Sequence, residues 1–110
     1  FRELAKAPEG LVAWAAADRE QTPEFQIIAT RLNEFELISI GVQRGIIDYE
    51  LYSRWFKSGT VRAWQDAGPF IASLRRRWNN EMLFHELESL VGWLEGKKKP
   101  KRTRFWGAWF

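Results

Sequence analysis

The chain contains no cysteine, one histidine and one methionine in 110 residues. Without cysteine there is neither a disulfide framework nor a thiolate nucleophile or metal ligand. A lone histidine, His85, leaves any metal site short of its commonest donor. Long apolar runs are missing too. The longest, Leu11 to Ala17, is far below what a bilayer crossing needs, and no leader-peptide pattern is present. No stretch alternates apolar and polar residues with period two for long enough to argue a strand. Glycine-rich phosphate loops and Ser/His/Asp orders are also absent.

What remains is helical. Apolar residues make up 45% of the chain and charged ones 28%, a globular balance, and seven tryptophans are many for this length. The stretch Thr22 to Asp48 organises the rest. Thr22 is a good N-cap, Pro23 follows at the first helical position, and Glu24 suits the helix dipole. Phe25, Ile28, Leu32, Phe35 and Val42 recur at three- and four-residue spacing, with Ile27 and Ile38 beside them. Gln26, Thr30, Asn33 and Glu34 oppose that stripe. From Leu37 the polarity disappears, because Leu37, Ile40 and Gly41 occupy the previously polar face. Such a segment is buried all round or meets a partner. Gly45 suits a left-handed C-cap, and Asp48 can cap the next helix.

The run NEFELISIGVQRGIIDYELYSRWF, continuing to Trp64 and Pro69, resembles a family of small helical bacterial and phage proteins, domain of unknown function 4760. The residues carrying the likeness are Asn33, Phe35, Glu36, Ile40, Gly41, Gly45, Ile47, Asp48, Leu51, Trp64 and Pro69, and it extends from about Leu11 to Trp93. It implies a helical fold, and members often carry a membrane-spanning helix upstream. It implies no activity and no catalytic residues.

The other segments read as helices as well. Pro8 and Glu9 open a short one through about Arg19, with Leu11, Trp14 and Ala15 inward. Tyr49 to Lys57 forms another, carrying Leu51, Tyr52, Trp55 and Phe56 on one side and ended by Ser58 and Gly59. Thr60 caps the next, whose stripe is Val61, Trp64, Ala67, Ile71, Leu74 and Trp78, with a kink or break at Gly68-Pro69. Asn79 and Asn80 turn the chain. Glu81 to Glu95 is the last helix, with Leu83, Leu87, Leu90 and Leu94 inward, ended by Gly96. The expected fold is all-α, a compact bundle of four to five helices forming one domain over 1–96. Residues 97–110 form an irregular basic-aromatic tail.

Charge divides along the same line. Lys97, Lys98, Lys99, Lys101, Arg102 and Arg104 are six of the 17 bases, which leaves 11 against 14 acids, or −3, in the body. Those cations, followed by Phe105, Trp106, Trp109 and Phe110, suit nucleic-acid binding or an anionic membrane surface, with Trp106 and Trp109 stacking or inserting. The same aromatic end can instead fold back onto the domain.

Other candidates reduce to structure. His85 with Glu81 offers two ligands at most, Glu34, Glu36, Asp48 and Glu50 suit solvation and capping, and Gly41 and Gly45 suit close packing and a cap. Arg75, Arg76 and Arg77 read as a solvated cluster at a helix end.

The sequence therefore leads to a non-catalytic protein-interaction domain with no catalytic, cofactor or metal residues. Its partner surface is expected at Leu37, Ile40, Trp55 and Phe56, and a homo-oligomer is left open. The alternative is nucleic-acid or anionic-membrane binding through the tail. Because the chain begins at Phe1, further sequence upstream is expected. The location is read as cytoplasmic, with membrane association through a segment absent from the chain.

Overall fold

A computed structural model describes residues 2–5 and 10–97. They form a compact all-α bundle. A short α1 (Arg2–Ala5) leads to two 3-10 segments, Gly10–Ala15 and Ala17–Arg19. Three longer helices follow: α2 (Pro23–Gln43), α3 (Tyr49–Arg77) and α4 (His85–Leu94).

The local signals at α2 act as the residues dictate. Thr22 Oγ1 accepts from the Phe25 N–H at 3.2 Å, and Pro23 occupies the first turn. At the far end Gly45 adopts φ 79°, so the Ile46 N–H reaches the Gly41 carbonyl at 2.9 Å and the Gly45 N–H reaches Val42. This paired closure needs a left-handed residue, which glycine takes without steric cost. Asn79, at φ 51°, closes α3 by the same pair of bonds, Asn80 to Arg75 and Asn79 to Arg76. Asp48 caps α3 through the Leu51 N–H at 3.0 Å.

Three expected helix bounds are corrected. No α-helix spans Leu11 to Arg19; the alanine-rich stretch forms 3-10 turns, while Pro8 and Glu9 lie outside the described residues. Leu11 and Ala15 are nevertheless buried, and Trp14 is half-buried beneath Arg19.

The second correction is larger. Residues 49 to 77 form one continuous helix of 29 residues, with no break at Ser58-Gly59 or at Pro69. Gly59 costs only about 1 kcal/mol in an exposed helical position. Thr60 is not a cap. It is buried, and its hydroxyl lies 2.7 Å from the Tyr52 hydroxyl. Pro69 lies on the exposed side, where the carbonyl left without a donor is open to water.

Thirdly, α4 begins at His85, not Glu81, because Phe84 takes φ 58°. That conformation is strained for a bulky residue, and it holds here because the Phe84 ring is buried in the main core. Trp78, expected inward, is half-exposed; its indole N–H donates to Glu20 at 3.0 Å.

The main core gathers Leu11, Phe25, Ile28, Leu32, Phe70, Ile71, Leu74 and Leu87 from every major element. A smaller cluster of Val42, Tyr52, Leu90 and Leu94 closes the other end. The expected membrane association is also corrected: among the described residues no helix is long and apolar enough to cross a membrane. The reading of location is withdrawn with it.

Candidate docking groove

The bundle is sealed on one side and open on another, and α2 takes part in both. Its sealed face packs on α4. There the Glu36 carboxylate accepts from the backbone N–H groups of Glu86 and Leu87 at 3.1 and 2.8 Å, capping α4 from a neighbouring helix. A buried helix start left without acceptors is costly, and Phe84 supplies no side-chain cap. Gln43 Nε2 donates to the Glu86 carbonyl at 3.0 Å, so the same turn is held from both directions. Tyr49 adds a bond to the Trp93 carbonyl at 3.0 Å.

The open face looks toward the first half of α3. Between the two helices runs a groove of about 1200 Å³. From α2 it is lined by Ile27, Thr30, Arg31, Glu34, Phe35 and Ile38, a continuous three/four stripe. From α3 it is lined chiefly by Tyr52, Phe56, Gly59, Thr60 and Ala63, a second stripe, with Ile47 closing one end. Ile27 is 51% and Phe56 58% exposed, so large apolar side chains face water along its length.

The floor is fixed and the rim is polar. Tyr52 packs against Phe56 with ring centroids 5.2 Å apart and the planes tilted by 38°, and its bond to Thr60 satisfies both buried hydroxyls. Gly41 allows Ile47 to approach: a Cβ there would sit 3.1 Å from Ile47 Cδ1. Arg31 lies over Phe35 and pairs with Glu34 at 3.4 Å, which places charge beside the apolar lining.

The residues expected to bind a partner are dispersed about this groove. Phe56 lines it. Trp55, 71% exposed, is its chain neighbour on α3, and Leu37, also exposed, adjoins Ile38 on α2. Ile40 is half-buried and does not line the groove. Of the tail, Lys97 is exposed and pairs with Glu95 at 3.1 Å. Lys98, Lys99, Lys101, Arg102, Arg104, Trp106 and Trp109 lie outside the described residues.

Sequence spacing missed Ile27, Ile38, Ile47 and Tyr52 as parts of one surface. The signal was present in the 52-56-59-60-63 periodicity, but an expected break at Ser58-Gly59 cut it in two.

A second, shallower depression lies on another side of α3. It presents Arg54, Lys57 and Arg62 beside Ser53, Ser58 and Glu95. Of the three arginines at the end of α3, Arg76 is exposed, while Arg75 and Arg77 are more engaged than a solvated cluster would be. Arg75 donates twice to the Leu83 carbonyl, at 2.9 and 2.7 Å, and pairs with Glu88. Arg77 donates to the Ala15 carbonyl at 3.0 Å and pairs with Glu20 at 2.9 Å. They staple loops to the bundle. His85 is half-buried at the start of α4, and among the described residues no three of His, Asp and Glu gather to hold a metal ion.

The family model of the domain of unknown function DUF4760 matches residues 1–93, and the chain belongs to that family. No curated protein and no solved structure matches the chain.

Proposed function

We propose that this DUF4760 domain, of bacterial or phage origin as the family resemblance implies, is a non-catalytic interaction module whose α2–α3 groove receives an amphipathic helix of a partner protein. The observation that carries this reading is the groove: two facing helical stripes flank an open trough of about 1200 Å³ with Ile27, Ile38 and Phe56 open to water. Monomeric proteins rarely leave a long apolar trough uncovered. A trough bounded by two helices and rimmed by charge has the form in which a third helix buries its apolar stripe, anchored at three- and four-residue spacing. The rim pair Arg31–Glu34 then flanks the polar side of the incoming helix, where exposed charges contribute register more than affinity.

The test is affinity capture by the full chain from the organism that makes it. Wild type, Ile38→Lys/Phe56→Lys and Met82→Lys are compared. Met82 is exposed and lies outside the groove, so its variant controls for added charge. The reading expects a partner retained by wild type and by Met82→Lys and lost from the double variant. A partner held equally by all three, or held by none, contradicts it.

A further inference from the structure

We infer that the helix received by the groove is acidic along the flank it turns to α3, and that it sets a carboxylate on Arg62, two turns from the apolar side chain it packs on Trp55. The inference rests on the docking reading above and adds the charge of the partner.

The charge of the lining carries the argument. Three residues that line the groove are formally charged, Arg31, Glu34 and Arg62. Arg31 and Glu34 pair with each other on α2 and cancel. Arg62 is exposed on α3, and among the described residues it makes no ion pair. Asp66, one turn further along, is itself engaged. The groove therefore offers one uncancelled positive charge. That excess is local, because residues 1–96 hold 11 bases against 14 acids.

The outer side of α3 extends the same sign. Arg54 and Lys57 border the shallow depression together with Arg62. Glu95, the acid that borders it, is held by Lys97 at 3.1 Å. One rim of the groove is thus a balanced pair and the other leads onto a row of cations.

Spacing fixes where the incoming carboxylate falls. Trp55 is exposed and precedes Arg62 by seven residues. That sets the two on one side of α3, about 10 Å apart along its axis. A helix laid along α3 has the same period. An apolar residue on Trp55 and a carboxylate seven positions away then meet both side chains at once. The guanidinium fork of Arg62 suits a carboxylate, and a lysine in its place on the partner would be repelled. At such a rim charge selects the partner more than it holds it.

Two synthetic helical peptides of about 18 residues test this, sharing one leucine stripe at three- and four-residue spacing. One carries glutamates seven positions from stripe leucines, and the other carries lysines there. Binding to the full chain is read by fluorescence anisotropy. The glutamate peptide should bind wild type about tenfold more tightly than the lysine peptide. Arg62→Glu should remove or reverse that preference, while Arg62→Lys keeps most of it. Ile38→Gln/Phe56→Gln, which changes no charge, should abolish binding of both peptides. A preference that persists in Arg62→Glu belongs to the six cations of residues 97–104 and overturns the inference. Equal affinity of wild type for the two peptides overturns it as well, as does binding of neither. The docking reading survives each of these outcomes, since it falls only on the capture experiment.

Discussion

The seam between α2 and α4 and the groove between α2 and α3 are two faces of the same helix with opposite fates. At the seam, aliphatic packing is reinforced by bonds that reach from side chain to backbone: Glu36 to two N–H groups of α4, Gln43 to the Glu86 carbonyl. Along the groove the polar bonds among these lining residues stay within one wall, Tyr52 with Thr60 on α3 and Arg31 with Glu34 on α2. The difference teaches that the groove is stable as an open feature. Among the described residues no buried polar side-chain atom lacks a partner, so nothing polar demands closure, and only apolar surface gains from a cover.

Substitutions that strain this contrast have an expected order of effect on stability, read from urea unfolding. Leu87→Ala, at the seam, should be the most damaging, at about 3 kcal/mol, because a fully buried leucine leaves a cavity between α2 and α4. Tyr52→Phe should cost about 1–2 kcal/mol by stranding the buried Thr60 hydroxyl. It tests whether the groove floor is a fixed part of the fold. Glu36→Ala should cost about 1 kcal/mol and raise amide exchange at Glu86 and Leu87 first, since those donors lose their acceptors. Phe56→Ala should fall within about 0.5 kcal/mol of wild type, because its ring is mostly in water. If Phe56→Ala proved as costly as Leu87→Ala, the groove would be core and the contrast would disappear.

Much of the fold was legible in the residues. Thr22-Pro23, Gly45, Asp48 and Gly96 punctuate the helices where their chemistry requires, since caps and left-handed turns are local events. The stretch from Tyr49 to Arg77 was not. Ser58, Gly59 and Pro69 are individually poor helix residues, and local preference argues for two stops. Burial of Ala63, Ala67, Phe70 and Leu74 against the rest of the core outweighs a few kcal/mol of local cost. Phe84 failed for the reverse reason: a left-handed aromatic is unreadable from spacing, being held by a pocket made elsewhere in the chain. The groove inherited the first error. Leu37, Trp55 and Phe56 were legible as excess apolar surface, but Ile27 and Ile38 looked like core until α3 ran unbroken past them.

The most direct measurement places a photo-cross-linking phenylalanine analogue at position 56 of the full chain, expressed in the organism that makes it, with position 82 as the reference. Docking in the groove predicts an adduct with a second protein from position 56, mapping to an amphipathic segment of that protein and lost on adding Ile38→Lys, with none from position 82. Equal adducts from both positions, or none from position 56, would contradict the account.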